Sequence, residues 1–191
     1  MSKKLKLVAV SGGLQRPSRT LALVDAIVAQ LAERVLLDVH VVELGEISAD
    51  LGATLDRRTA SAEIASHLNA IEAADALVVA CPVFRGSYPG LFKHLFDLVH
   101  QDALVDMPVV LAATGGSERH ALVLEHQLRP LFGFFQALTL PIGVYASARD
   151  FTGYEVTDAA LRERIVLAAQ RAEPWLRARS ERVSSPDALV A

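Results

Sequence analysis

The amino-acid sequence predicts an α/β fold in which a parallel sheet is covered by helices on both faces. Strand-like and helix-like segments alternate along the chain of 191 residues. Most of the strand-like segments are apolar throughout, which is typical of parallel strands buried on both faces. Because crossovers between parallel strands are right-handed, only a few topologies fit this order of segments.

The first part of the chain predicts three strands, each a short run rich in aliphatic residues. The strands are residues 5–10, 36–44 and 74–83. Apolar residues recur at helical spacing from Leu21 to Leu31, and a second helix is predicted over residues 61–73. Residues 45–60 are polar and interrupted by glycine, so we expect a loop there.

The second part of the chain predicts two more strands and three more helices. The strands are residues 107–114 and 137–146. The helices are residues 89–100, 115–135 and 157–179. Pro89 suits the first turn of a helix, where its missing N–H group costs nothing. Residues 180–191 show no clear periodicity, so residues 1–179 are predicted to form one domain that is followed by a flexible tail.

Composition and charge argue against several classes of protein. The net charge is −3, and no run of basic residues suggests binding to nucleic acid. A single cysteine, Cys81, and six histidines without ligand spacing predict no metal site and no internal disulfide. No apolar run reaches the roughly 18 residues of a membrane helix, and the first residues lack the pattern of a signal peptide. We therefore expect a cytoplasmic protein without a membrane partner.

Three unusual loops follow predicted strands at the edge where the carboxyl ends of the strands meet. They are residues 11–20, 81–90 and 114–120. In parallel sheets, ligands bind at this edge, where the strand order reverses. The first loop is not a P-loop, because no Gly-Lys-Ser/Thr follows the strand. It also lacks the third spaced glycine of the dinucleotide-binding fingerprint after Gly12 and Gly13.

The first loop combines hydroxyl groups with arginines immediately before a helix. Its polar residues include Ser11, Arg16, Ser18, Arg19 and Thr20. The unpaired N–H groups and the positive end of the dipole make a helix N-terminus suitable for binding a phosphate. A serine or threonine at this place can equally serve only as a helix cap. The residues of this loop alone leave both interpretations open.

The second and third loops favour a ligand with a planar ring. Pro82 has a fixed φ and Gly86 has no side chain, so the backbone of the second loop can approach a flat ring closely. In the third loop, Thr114 is followed by Gly115 and Gly116, whose successive N–H groups can face a ligand. Together the loops predict a site with a phosphate at one end and a planar ring at the other.

The segments SGGLQRPSRT, CPVFRGSYPGLFKHLFD and ATGGSERHALVLEHQLRPLF resemble the NAD(P)H-dependent FMN reductases, in particular the reductase components of two-component sulfonate monooxygenase systems. The resemblance covers roughly residues 4–175. It implies a flavodoxin-like three-layer sandwich with a five-stranded parallel sheet in the order 2-1-3-4-5. It also implies that NADH or NADPH reduces FMN to FMNH2, which is supplied to a partner flavin-dependent monooxygenase for desulfonation.

The resemblance also implies which residues hold FMN. In the first loop they are Ser11, Gly13, Arg16, Ser18 and Thr20, of which Ser18 and Thr20 match the phosphate-binding positions. In the second loop they are Pro82, Val83, Phe84 and Arg85, and in the third Thr114, Gly115, Gly116 and Ser117. Residues 12–15 lack a hydroxyl group and an arginine that the family typically has there, and Arg16 is the nearest substitute. This departure predicts modest affinity for FMN.

No catalytic side chain is predicted, because the nicotinamide and the flavin themselves carry the hydride chemistry. Cys81 is interpreted as a buried apolar residue rather than a nucleophile. Two alternative functions remain open at this point. One is a quinone or azo reductase with bound FMN, and the other is a non-enzymatic electron carrier of the flavodoxin type.

The segment VLEHQLRPLFGFF predicts an irregular helix next to another subunit. Pro130 cannot donate to the carbonyl of His126, so the helix should bend or bulge there. Its apolar residues cover a wider arc than one core face, which favours burial against a partner. In the family, the corresponding helix carries a π-bulge at a subunit interface. We therefore predict a homodimer or homotetramer with His126 at the bulge and the interface; the alternative is a plain kink with His126 in solvent.

Overall fold

The structure, a computed structural model, describes residues 4–184 as a sheet with helices on both faces. The strands are β1 (Leu5–Ser11), β2 (Leu37–Glu43), β3 (Ala76–Pro82), β4 (Pro108–Gly115), β5 (Leu138–Thr139), β6 (Val144–Ser147), β7 (Phe151–Thr152) and β8 (Glu155–Val156). The α-helices are α1 (Arg19–Ala32), α2 (Leu44–Ala53), α3 (Ala62–Glu72), α4 (Gly90–Asp97), α5 (Arg129–Phe134) and α6 (Ala159–Ser184).

The main sheet has the order β2-β1-β3-β4-β5, which confirms the predicted topology. All of its pairings are parallel, and Leu7 of β1, for example, lies between Val39 of β2 and Ala76 of β3. Strand β6 also pairs with β4, beyond the end of β5. The carboxyl ends of β1, β3 and β4 therefore lie side by side, and the loops that follow them share one edge of the sheet.

Two hydrophobic clusters fill the space between the sheet and the two helical layers. Val8 and Val10 of β1 pack into the cluster that contains the buried residues of α2, α3, α4 and α5. Leu7 and Ala9 point the other way, into the cluster of α1 and α6. Because side chains alternate along a strand, a strand that is apolar throughout serves both clusters. The predicted three-layer sandwich is confirmed.

The prediction of a loop over residues 45–60 is wrong, because α2 occupies Leu44–Ala53. Three of its residues, Leu44, Ile47 and Leu51, are buried on one face of the helix at spacings that suit helical periodicity. Gly45 and Gly52 favoured the prediction of a loop, since glycine is unfavourable in the interior of a helix. Tertiary packing of the apolar face outweighs that preference here.

The prediction of one helix over residues 115–135 is also wrong. The segment contains a 3₁₀ turn at Glu118–His120, a π-helical segment at Leu124–Leu128, and then α5. The predicted strand over residues 137–146 is divided into β5 and β6, which both pair with β4. Pro141 lies in the interruption, and it has no N–H group to donate to a neighbouring strand.

The last helix, α6, continues to Ser184, five residues beyond the predicted end at Arg179. Residues 185–191, the rest of the predicted tail, lie outside the residues that the structure describes. Within residues 4–184, every helix is too short or too polar to cross a membrane.

A pair of histidines at the sheet edge predicts that stability depends on pH. His40 Nε2 of β2 lies 2.9 Å from His67 Nδ1 of α3, a hydrogen bond in which one ring nitrogen must be unprotonated. Burial, followed by the charge of His40, lowers the pKa of His67 below its ordinary value. In the unfolded chain, His67 therefore takes up a proton near pH 6.5, whereas in the folded protein it takes up the proton only at a lower pH.

We expect the free energy of unfolding to fall as the pH decreases through about 6.5 towards the lower pKa of folded His67. Urea unfolding at a series of pH values between neutral and mildly acidic measures this dependence. His67→Gln, which does not titrate, should flatten the decrease in this range. An equally steep decrease in His67→Gln would contradict the prediction.

Candidate functional site

The three loops that follow β1, β3 and β4 surround a cleft of about 470 Å³. This volume lies within the range of small-molecule binding sites, roughly 300–1,000 Å³. The cleft is lined by Gly13, Leu14, Gln15, Pro17, Ser18, Arg19, Thr20, Pro82, Val83, Phe84, Thr114, Gly115, Gly116, Ser147, Ala148, Phe151 and Tyr154. The structure thus places the cleft at the carboxyl edge of the sheet, where the sequence predicts it.

Hydrogen bonds connect the loops directly to one another. Thr20 Oγ1 lies 2.7 Å from Thr114 Oγ1, and both side chains are buried. The N–H group of Val83 donates to the carbonyl oxygen of Thr114 at 2.7 Å. Thr114 therefore ties the third loop to the other two, and the walls of the cleft are fixed by the protein's own bonds.

Ser18 is the N-cap of α1, and its Oγ accepts a hydrogen bond from the N–H group of Leu21 at 3.2 Å. As a hydroxyl, Ser18 can accept this bond and still donate its own proton to another group. The N–H groups of Arg19 and Thr20, in the first turn, have no acceptor within the helix. Capping and anion binding are therefore compatible at this helix end.

The second loop forms a tight turn that presents Phe84. Phe84 and Ser87 exchange two backbone hydrogen bonds, of 2.8 and 3.1 Å. Between them Arg85 and Gly86 both have positive φ, 54° and 81°, as a type I′ turn requires. The Phe84 side chain is 48% exposed and lies on the wall of the cleft. Ser87 Oγ also donates to Gln127 Oε1 at 2.9 Å, which connects this turn to the π-helical segment.

The third loop is held from behind by Tyr145 of β6. Its hydroxyl donates to the carbonyl oxygen of Ser117 at 2.5 Å and lies where a side chain at Gly115 would be. Burial, followed by the charge of Asp150, raises the pKa of Tyr145, so the hydroxyl remains a donor at neutral pH. A side chain at Gly116, by contrast, would meet no atom within 4 Å. The backbone of the third loop is thus open towards the cleft at Gly116.

The structure brings most of the predicted binding residues together. Those that line the cleft are Gly13, Ser18, Thr20, Pro82, Val83, Phe84, Thr114, Gly115 and Gly116. Four others do not line it. Ser11 is fully buried, and its Oγ has no hydrogen-bond partner in the part of the chain that the structure describes. Arg85 is exposed at the tip of the turn, and Ser117 lines a smaller cavity beside the cleft.

Arg16, the predicted substitute for the missing arginine, is bonded to carboxylates in the structure and does not line the cleft. Its guanidinium is bonded to both carboxylate oxygens of Glu43, with Nε 2.8 Å from Oε1, and it lies 3.0 Å from Glu46. The bonds to Glu43 raise the pKa of Arg16 above its ordinary value. Arg16 thereby fastens the first loop to the end of β2. Arg19, which was not among the predicted FMN-binding residues, lines the cleft instead.

The remaining wall, which the sequence analysis missed, comes from β6 and the β7–β8 hairpin. It consists of Ser147, Ala148, Phe151 and Tyr154. Gly153, with φ 63°, and Tyr154 form the two-residue turn between the paired strands, and glycine at this place is a recognisable hairpin signal. The Arg19 guanidinium lies 6.0 Å from the centroid of the Tyr154 ring, and its Nε is 3.3 Å from the carbonyl oxygen of Gly153.

The helix after the third loop is π-helical around His126, as the sequence predicts. The N–H group of Arg129 donates to the carbonyl oxygen of Leu124, five residues earlier. His126 is exposed and borders a groove of about 750 Å³, and Phe134 on the same groove is 68% exposed. Contact between His126 and a second subunit stays a prediction.

Cys81 at the end of β3 is fully buried, and burial raises its pKa to about 12. A buried thiol with so high a pKa is not ionised at neutral pH, which argues against a role for Cys81 as a nucleophile. Its interpretation as a buried apolar residue is confirmed. Within residues 4–184, the structure shows no group of three side chains suited to bind a metal ion.

The doubly wound parallel sheet and the cleft between a helix N-terminus and an aromatic turn define a nucleotide-binding protein of flavodoxin-like fold. Residues 5–152 match the family described as NADPH-dependent FMN reductase, and the chain belongs to this family. It is 62% identical over 174 residues to the NADH-dependent FMN reductase SfnF of Pseudomonas fluorescens (strain Pf0-1), covering 91% of this chain and 93% of the relative.

Two further comparisons agree with this family. The chain is 60% identical over 181 residues to an FMN reductase (NADPH) of Pseudomonas aeruginosa, covering 95% of this chain and 97% of the relative. Its structure is similar to the crystal structure of an oxidoreductase from Corynebacterium diphtheriae, with a TM-score of 0.80 and 38% identity over 92% of this chain and 98% of the other.

Proposed function

We propose that the protein uses NADH or NADPH to reduce FMN to FMNH2 and then releases the reduced flavin. The observation that carries this proposal is the cleft itself, in which the N-terminus of α1 stands at one end and Phe84 and Gly116 form the wall near the other loops. Membership of the FMN reductase family supports it.

The charges of the cleft suit a flavin phosphate. Arg19 is the single charged side chain among the described residues that line the cleft, and none of these lining residues carries a carboxylate. A phosphate at the start of α1 would receive hydrogen bonds from the N–H groups of Arg19 and Thr20 and from the Ser18 hydroxyl. No carboxylate from the described part of the chain lies on the walls of the cleft to oppose this attraction.

The loops suit a flat ring at the other end of the cleft. Pro82, Val83 and Phe84 would lie along the ring, and the backbone of Gly115 and Gly116, which is open at Gly116, would lie beside it. When bound, the flavin supplies the hydride-accepting chemistry, so the chain needs to position two rings rather than to provide an acid or a base. The family resemblance also assigns Ser11, Arg16, Arg85 and Ser117 to this site; in the structure they lie behind or beside the cleft.

Steady-state oxidation of NADH and of NADPH, with and without free FMN, tests the proposed function. Because the cleft offers few charged groups to retain the flavin, we expect the rate to rise with added FMN and then to saturate. A protein that keeps its flavin through gel filtration and is indifferent to added FMN would contradict the proposal. That result would favour a quinone or azo reductase, or an electron carrier of the flavodoxin type.

The proposal also includes the location of the protein, its catalytic unit, its partner enzyme and its oligomeric state. We infer a cytoplasmic enzyme whose catalytic unit is residues 1–179 and whose product passes to a separate flavin-dependent sulfonate monooxygenase. We also infer a homodimer or homotetramer in which the groove beside His126 is covered by a second copy. The exposed Phe134 at that groove supports this inference, because a large apolar side chain in water favours burial.

A further inference from the structure

A second cavity, of about 300 Å³, adjoins the cleft on the side of the third loop. It shares Gly116 and Ser147 with the cleft, and its other walls are Ser117, Glu118, Arg119 and Arg149. Residue 116 is a glycine, so no side chain at this position separates the two spaces. A ligand that lies in the cleft can therefore extend past Gly116 into this side cavity.

The side cavity differs from the cleft in its charges. Two arginines, Arg119 and Arg149, stand on its walls together with one carboxylate, Glu118. Glu118 is bonded to the guanidinium of Arg149, which also lies 3.7 Å from Asp150. No ion pair within residues 4–184 engages Arg119. Arg119 can therefore attract an anion to this cavity, whereas the charge of Arg149 is already paired with the carboxylates of Glu118 and Asp150.

We propose that this side cavity holds the pyrophosphate and adenosine end of the nicotinamide dinucleotide, and that Glu118 favours NADH over NADPH by occupying Arg149. The inference rests on the proposed function, since it requires the nicotinamide ring to lie against the flavin in the cleft. The remainder of the dinucleotide must then leave the cleft, and the opening at Gly116 leads to guanidinium groups that suit its phosphates.

The role of Glu118 follows from the chemistry that distinguishes the two dinucleotides. The 2′-phosphate of NADPH is best bound by a free guanidinium, whereas the 2′-hydroxyl of NADH can donate to a carboxylate. Glu118 supplies a carboxylate and also holds the guanidinium of Arg149. Removing the charge of Glu118 takes away one repulsion and leaves Arg149 with Asp150 as its remaining carboxylate neighbour, and both changes favour NADPH.

The test uses Glu118→Gln, with Asp56→Asn as the matched control. Asp56 and Arg58 form an exposed ion pair in which Arg58 is 88% exposed, and neither residue lines the cleft or the side cavity. In Glu118→Gln, the KM for NADPH relative to that for NADH is expected to fall by about fivefold, the upper end for an exposed ion pair. Asp56→Asn should leave this ratio unchanged. Glu118→Gln/Arg149→Gln should bring the ratio back towards the value of the unaltered protein, because the released cation is then absent.

Calorimetric titration with 2′,5′-ADP provides a readout that is independent of catalysis. Glu118→Gln should bind this fragment about fivefold more tightly than the unaltered protein does. An unchanged KM ratio together with unchanged 2′,5′-ADP binding would overturn the inference while leaving the FMN reductase activity intact. If the unaltered protein oxidises neither dinucleotide, the proposed function fails, and the titration alone then decides whether the side cavity binds the adenosine phosphate.

Discussion

Replacing Phe92 by alanine is expected to lower the free energy of unfolding by about 3–5 kcal/mol, because the substitution leaves a cavity in a closely packed core. The Phe92 side chain on α4 is fully buried, and its ring centroid lies 5.1 Å from that of Phe96 and 5.9 Å from that of Tyr88. The ring also lies directly against Gly12, so that a methyl group there would come within 2.8 Å of it. Phe92 thus supports both the core and the start of the first loop.

Urea unfolding of Phe92→Ala measures this effect, and Leu55→Ala is a suitable control. Leu55 is 83% exposed, so its truncation should change the stability by no more than about 0.5 kcal/mol. A loss of less than about 1 kcal/mol in Phe92→Ala would be inconsistent with a ring held in a rigid core.

Replacing Ser18 by alanine is expected to weaken FMN binding by about 1–2 kcal/mol, because one hydrogen bond to a charged phosphate is lost. This corresponds to roughly a 5- to 30-fold increase in the dissociation constant. Quenching of flavin fluorescence during titration of the protein provides the measurement. The proposal that FMN phosphate binds at the start of α1 depends on the result.

Ser61→Ala separates binding from helix capping. Ser61 is the N-cap of α3, and its Oγ accepts from the N–H group of Ile64 at 3.2 Å, the same distance as between Ser18 and Leu21. Ser18→Ala should lower the stability by about 1 kcal/mol. Ser61→Ala should lower it by more, because the Ser61 hydroxyl also donates to the Asp50 carboxylate. Only Ser18→Ala should weaken FMN binding; equal affinities in the two variants would leave Ser18 with a capping role alone.

The sheet order and the position of the cleft could be predicted because both depend on local patterns. Apolar strands mark a parallel sheet, and the loops after them must meet at one edge. The position of Arg16 could not be predicted, because its partner Glu43 lies 27 residues away in the sequence. An arginine in this loop could bind either a ligand or a carboxylate. The sequence does not show which, because the choice depends on the residues that folding brings near it.

The wall formed by Phe151 and Tyr154 was not predicted either, because the local sequence pattern there is too short to interpret. The β7–β8 hairpin consists of two-residue strands, too short for the alternation by which a strand is recognised. The hairpin also contacts Arg19, which lies 134 residues from Gly153 in the sequence. An irregular helix, by contrast, was predictable from Pro130, because a missing N–H group has a local effect, and the family resemblance implied that the irregularity is a π-bulge.

The bonds from Thr114 to Thr20 and Val83 also bear on how fast a flavin enters and leaves. In many enzymes, loops that open and close over microseconds to milliseconds govern the release of product. Here the loops are joined to each other by the protein itself, so we expect the residence time of a bound molecule to depend on its own contacts with the walls. A brief residence time suits a molecule that must be delivered elsewhere before it reacts with oxygen in solution.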